Sequence, residues 1–475
     1  MGNWFAKECS HAAPGYRRGW VPVAALCIHL SIGQAYAWSV FNIPLTRILG
    51  VEKPGPGDWS RESVIWVFSL AIVCLGLSAA FGGKWLERVG PRLAMFASAL
   101  CFSSGLFLAS LAVATHSLVL LYAGYGVIGG CGLGLGYIAP VSTLIRWFPD
   151  RPGMATGLAI MGFGGGALIA APLSVSLMGF YATHQSTGVA QTFATLGAGY
   201  LAAMLAGAAM IRIPPPGWTP ASGKVQAEAS AKSSGARNAD RNGEGNGETN
   251  GGSRAAAATR LSGHHVHADT ALRTPQFYLL WAMLCFNVSA GIGILGKAAD
   301  MVQDIFGVTP AAGAWFVTLL SVANMAGRFV WSSASDLFGR KTTYAIYFGL
   351  GGILYATLPL LGRSGSRPLF EIACLAIMTM YGGGFATIPA YLRDLFGTMH
   401  VGAIHGRLLT AWSIAGVAGP VLLTRWAERA KAAGAAGGEA YFPVMYLMAG
   451  LLAAGFVCNL RVSPVDPRHH FHPES

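Results

Sequence analysis

Arg328 carries the most pointed chemistry in this chain. It stands in an otherwise apolar stretch, eight residues before Asp336. On a helix rising 1.5 Å per residue, that is about 12 Å in from the charged end. A guanidinium in hydrocarbon is costly and needs a reason, and its planar fork can pair with a carboxylate through two parallel hydrogen bonds. The plainer alternative is that the long side chain reaches back to water. Asn324 lies one turn further in on the same face, which favours a polar lining. Tyr381 and Phe385, four residues apart, share a helix face and read either as an aromatic wall for a ligand or as packing. Gln34 and Tyr36 would each need a hydrogen-bond partner in a dry interior, and Tyr137 is a weaker candidate of the same kind. No Asp or Glu falls at mid-depth in the apolar runs. That leaves His29 as the candidate for proton linkage, because an imidazole ordinarily titrates at about 6.5; otherwise it is a packing residue.

Membrane helices have to hold these side chains. Of 475 residues, 53% are hydrophobic and 11% charged, and mean hydropathy is +0.49. That is too apolar for a water-soluble chain of this length. The net charge of +12 sits in short turns between apolar runs, which is a topology signal and not a nucleic-acid footprint. A spanning helix needs about 20 mainly apolar residues. Twelve runs satisfy that, near 20–42, 63–82, 93–114, 118–145, 154–179, 193–212, 276–297, 312–333, 342–361, 368–391, 403–424 and 441–460.

The expected fold is an all-α integral membrane protein of 12 transmembrane helices in two six-helix bundles. Residues 1–213 form the N-terminal bundle, 214–273 a flexible cytoplasmic linker and 274–475 the C-terminal bundle. Lys and Arg are more frequent in loops on the side of the two termini, which predicts that both lie in the cytoplasm. The linker is rich in Ala, Gly, Ser and Asn and too poor in large apolar residues to bury a core. Its His264, His265 and His267 read as part of a solvated tether, with metal binding as the alternative.

The halves are duplicates. A single offset of 249 residues lays Glu87 on Asp336, Gly90 on Gly339, Arg92 on Lys341, Gly134 on Gly383, Pro140 on Pro389 and Gly157 on Gly406. An even number of helices per repeat keeps both copies in the same orientation, with a substrate path between two bundles related by an axis along the membrane normal.

Two acidic-x-x-Gly turns with basic residues, after the second and eighth runs of a 6+6 chain, resemble the signature loops of the major facilitator superfamily over essentially the whole length. Within it, Tyr36 to Phe41, Met161 to Ile169, Asn324 to Arg328, Tyr381 to Tyr391 and Gly406 to Gly416 resemble the oxalate/formate antiporter family and its monocarboxylate-carrying relatives. The resemblance implies a secondary transporter working by alternating access as a single chain in a bacterial inner membrane. It implies that Arg328 neutralises a substrate carboxylate and that Tyr381 and Phe385 wall the substrate cage. Glu87, Arg88, Gly90 and Arg92, with Asp336, Gly339, Arg340 and Lys341, would form gating ion pairs between helices; retention of topology is the plainer role. The family's oxalate carrier has a lysine where this chain has Trp412. One cation and an indole suit a monocarboxylate such as formate, pyruvate or lactate, with oxalate/formate exchange as the alternative.

Other classes fit less well. Gly291 to Lys297 matches G-x-x-x-x-G-K, but Ala298 follows where a phosphate loop needs Ser or Thr, and no strand precedes it. No nucleophile–base pair or metal-ligand spacing suggests an enzyme, a cofactor or a metal. A membrane sensor for a carboxylate would want an output domain, and both tails are short.

Overall fold

The computed structural model describes residues 5–220, 265–295, 298–434 and 437–471. The first half contributes α1 (Trp20–Leu45), α2 (Arg61–Val89), α3 (Pro91–Ala114), α4 (Leu118–Trp147), α5 (Pro152–Tyr181) and α6 (Val189–Met210). The second half contributes α7 (Pro275–Leu295), α8 (Pro310–Phe338), α9 (Arg340–Arg363), α10 (Arg367–Phe396) and α12 (Phe442–Arg461). Between α10 and α12, Val401–Leu408 and Thr410–Ala432 form α11, interrupted at Leu409. Among the described residues, 11 helices, all of these except α11, are long and apolar enough to cross a membrane. Helices satisfy their backbone groups internally, which is what a lipid solvent demands. Residues 221–264, with His264, and the Gly296-Lys297 end of the phosphate-loop match lie outside the described residues.

Local chemistry repeats at the same offset as the sequence. Ser60 caps α2 by accepting from the Ser63 N–H at 3.2 Å, and Thr309 caps α8 by accepting from the Ala312 N–H at 3.3 Å. The turns that end these helices use Gly90 (φ 85°, ψ 167°) and Gly339 (φ 84°, ψ 150°), a backbone region closed to residues with a Cβ. Pro140 and Pro389 sit inside α4 and α10.

The halves meet along two seams, α5 against α8 and α2 against α11. Gly157 rests on the Arg328 carbonyl in the first, and Gly406 rests on the Ala79 carbonyl in the second. Small residues let backbones approach this closely. Elsewhere α1 crosses α5 where Gly33 meets Gly166, and α10 crosses α8 where Gly382 meets the Asn324 carbonyl. These two crossings bring α1 and α10 to the middle of the α5–α8 seam.

The described residues nearest both termini and those flanking residues 221–264 gather on one side, here termed the terminal face. Ile213 pairs with the N-terminal stretch, where the Ala12 N–H donates to the Ile213 carbonyl and the Ile213 N–H to the Ser10 carbonyl, each at 2.9 Å. Past the undescribed stretch, the Val266 N–H donates to the Phe396 carbonyl at 3.0 Å, and the Phe471 N–H to the His265 carbonyl at 2.6 Å. Val266, Ala268 and Ala271 are fully buried, so the expectation of a solvated tether through residue 273 does not hold for this last part.

Candidate functional site

Arg328 is completely buried on α8, and its head points across the seam towards α5 and α1. The snorkelling alternative is therefore excluded. Nε donates to Asn324 Oδ1 at 3.3 Å, Nη1 to the Ile160 carbonyl at 3.2 Å and Nη2 to the Tyr36 hydroxyl at 3.5 Å. All three acceptors are neutral and the contacts are long; among the described residues no carboxylate pairs with it. Gly164 leaves room for the head, because a Cβ there would stand 2.9 Å from Nε.

Aromatic rings close the rest of the space. The Arg328 Cζ lies 5.4 Å from the ring centre of Phe385, 5.8 Å from Tyr36 and 5.9 Å from Phe163, within cation–π range. Trp412 is the hub of the box, at 4.7 Å from Phe385, 5.4 Å from Tyr137, 5.5 Å from Phe163 and 6.2 Å from Tyr36. Tyr381 meets Phe385 edge-on at 5.4 Å. Of these side chains only Tyr36 is half-buried.

Six of the residues singled out in the sequence, Arg328, Asn324, Tyr36, Phe385, Trp412 and Tyr137, thus converge, with Tyr381 behind them. Gln34 does not join them, because its Oε1 accepts from the Tyr125 hydroxyl at 3.0 Å inside the first half. Phe163 was missed, although it is the repeat counterpart of Trp412 at the offset of 249. His405 was missed too. It is buried on α11 with its ring 5.9 Å from that of Tyr137.

His29 sits one layer behind the box. Its Nδ1 lies 2.6 Å from the Ala159 carbonyl and its Nε2 3.3 Å from the Tyr137 carbonyl, while its ring stacks on Tyr137 at 5.5 Å. Ala159 and Ile160 are neighbours on α5, so His29 and Arg328 hold consecutive carbonyls of one helix.

The signature turns close the terminal face differently from expectation. Asp336 accepts from the N–H groups of Gly153 at 2.9 Å and Met154 at 2.8 Å, at the start of α5. Glu87 accepts from the Gly402 N–H at 3.1 Å, at the start of α11. Each carboxylate thus spans the two halves onto a helix N-terminus, where backbone donors and the helix dipole favour negative charge. Their cationic partners are Arg340 for Asp336 and Arg146 for Glu87, and Arg340 also binds Asp394 at 3.1 Å. Lys341 instead donates to the Leu460 and Val462 carbonyls, each at 2.9 Å, and Arg88 is exposed. Arg92 is buried at the start of α3. Of the expected ion pairs, Asp336 with Arg340 forms, whereas Glu87 pairs with Arg146 and not with Arg88, Lys341 binds backbone carbonyls, and backbone N–H groups supply the contacts of both carboxylates across the halves.

Two duplicated halves, matched turns that reach across to each other and a cation sealed between them are the marks of a two-bundle transporter. The Major Facilitator Superfamily profile matches residues 24–420 and again 282–474. The chain belongs to the Major Facilitator Superfamily. Among its relatives in that superfamily, the oxalate:formate antiporter of Oxalobacter formigenes is 26% identical over 85% of this chain and 84% of that one. The apicoplast pyruvate carrier 1 of Toxoplasma gondii is 26% identical over 98% and 94%. Among solved superfamily structures, the E. coli fucose:proton symporter FucP superposes with a TM-score of 0.61 at 16% identity, covering 94% of this chain and all (100%) of the other. The proton:xylose symporter XylE gives 0.65 at 13% identity, covering 94% and 96%. This superfamily member is a multi-pass membrane protein.

Proposed function

We propose that this transporter carries small monocarboxylates, such as pyruvate, lactate or formate, by alternating access between its two halves. One observation supports this above the others: Arg328 is fully buried on the seam and, among the described residues, its hydrogen-bond acceptors are all neutral. Leaving a buried cation without a counter-charge costs several kcal/mol. A bound carboxylate supplies that charge and takes the guanidinium fork in a bidentate pair. Phe163, Phe385 and Trp412 then face an apolar or hydroxylated tail. The oxalate:formate and pyruvate carriers among the relatives lend support to a small carboxylate. With one cation in the box, the site suits a monoanion better than oxalate.

On this reading an empty carrier resists the sealed state and a loaded one passes through it, so exchange outruns net flow. The terminal face is the cytoplasmic one, the twelve helices form bundles at 1–213 and 274–475, and a single chain suffices. Asp336 and Glu87 hold the cytoplasmic gate shut by capping α5 and α11. His29 is the candidate for proton linkage, with packing as its plainer role: its two nitrogens face two carbonyls, so a doubly protonated ring has an acceptor for each N–H. Uptake by His29→Gln should then lose its pH dependence; an unchanged pH profile would remove His29 from the mechanism.

Counterflow in proteoliposomes tests the whole reading. Vesicles loaded with unlabelled pyruvate, lactate, formate or oxalate should accumulate the labelled monocarboxylates, and Arg328→Gln should abolish this. Oxalate exchange as fast as the others would refute the single-cation selectivity. No exchange of any carboxylate would refute the substrate class.

A further inference from the structure

A second site lies away from the substrate box, on the lateral surface where the halves meet near the terminal face. It is a groove of about 680 Å³ between α2, α7 and α11. Phe81, Phe277, Tyr278 and Trp281 make its apolar wall, and Lys84 and Arg407 stand at its end. Phe81 is 81% and Tyr278 58% exposed. Large aromatic side chains that exposed, on spanning helices, face lipid and not water. Lys84 lies five residues before the end of α2, about 7.5 Å along the helix, which is the depth of a lipid headgroup. The groove is therefore apolar where acyl chains run and cationic where phosphates sit.

Charge at the cationic end is not balanced. Asp269 accepts from Lys84 Nζ and Arg407 Nη2, each at 2.7 Å, and so joins the first half to the second. One carboxylate against two cations leaves a net positive charge. The Lys84 side chain is still 41% exposed, so two of its three N–H donors have room for another acceptor.

The geometry points to a binding site for one anionic phospholipid, its phosphate held by Lys84 and Arg407 beside Asp269 and its chains along Phe81, Tyr278 and Trp281. A phosphate there touches both halves of the protein, so an occupied groove adds to the clasp that Asp269 already makes across them. Basic residues at an anionic lipid surface each favour binding by roughly fivefold. The net charge of the cluster sets the preference, and Asp269 opposes it.

Native mass spectrometry of the full chain in neutral detergent tests this, with phosphatidylglycerol and phosphatidylcholine of the same acyl chains supplied at equal concentration. The wild type should retain one phosphatidylglycerol with a preference of about fivefold. Asp269→Asn should raise that preference by about another fivefold, while Lys84→Gln combined with Arg407→Gln should remove it. The opposite signs separate the site from a folding defect. Equal retention of both lipids by the wild type, or an unchanged preference in the double variant, would overturn the proposal. Excess soluble glycerol phosphate should leave the lipid bound; displacement would assign the cations to free phosphate and overturn it too. No substrate enters this experiment, so its result is independent of the carboxylate reading.

Discussion

The α5–α8 seam and the α2–α11 seam share one backbone design but carry different side chains. In the first, Gly157 rests on the Arg328 carbonyl; in the second, its counterpart Gly406 rests on the Ala79 carbonyl, and Ala79 is the residue that the offset of 249 pairs with Arg328. The facing carbonyl is duplicated, although Gly157 also meets the Ser332 hydroxyl, and one copy projects a guanidinium where the other has a methyl group. The close-packed backbone scaffold is therefore symmetric, and on the proposed function the recognition of a charged ligand is not.

That contrast predicts its largest effect at its centre. Arg328→Gln should lower carboxylate counterflow by about 100-fold or more, the effect of losing one partner of a buried charge pair. Ala79→Ser, at the equivalent place, should leave the rate within about twofold, because it adds no charge and a helical serine can bond to its own backbone. A comparable loss in both would mean that the seams do not divide their roles. Next come Gly157→Val and Gly406→Val. Each drives a side chain into a facing carbonyl, and overpacking of this kind costs about 1–3 kcal/mol. Both should slow transport by roughly tenfold, and a marked inequality would show that the seams move differently.

Smaller effects are expected at the terminal face. Asp336→Asn should speed amide exchange at Gly153 and Met154 by roughly 2- to 30-fold, the range that corresponds to loss of a helix cap, and leave Gly402 alone. Glu87→Gln should do the reverse, as hydrogen-exchange mass spectrometry can resolve. The smallest effect belongs to Asp269, whose carboxyl is pulled down to about 2 by its hydrogen bonds to Lys84 and then Arg407. A carboxylate with a depressed pKa supports its contacts above the ordinary carboxylate range and loses them as pH falls through its own value. The Lys84–Asp269–Arg407 clasp should thus be intact from pH 7 down to about 4 and fail towards pH 2. Being half exposed, it should also weaken with added salt. Exchange rates across residues 266–271 report both.

Much of this architecture was legible in the sequence because hydropathy and repetition are properties of side-chain order. The paired turns at Gly90 and Gly339 and the proline pair Pro140 and Pro389 announced a duplicated bundle. Arg328 declared itself by being out of place. Other features were hidden for definable reasons. The true partners of Asp336 and Glu87 include backbone N–H groups, which no residue letter records. Gln34 and Tyr36 are two residues apart on a helix and point to different neighbours, so proximity in sequence misled. Phe163 lay within a glycine run and drew no notice, although the repeat pairs it with Trp412. Asp269 belongs to a polar stretch whose composition suggested only a tether.

Equilibrium binding to the purified protein tests the central claim most directly, comparing pyruvate with its neutral amide by calorimetry in the wild type and in Arg328→Gln. A preference for the carboxylate of about 100-fold in the wild type, vanishing in the variant, is the predicted result. Equal affinity for the amide, or a carboxylate preference that survives without the guanidinium, would contradict the assignment of Arg328 as the charge that reads the substrate.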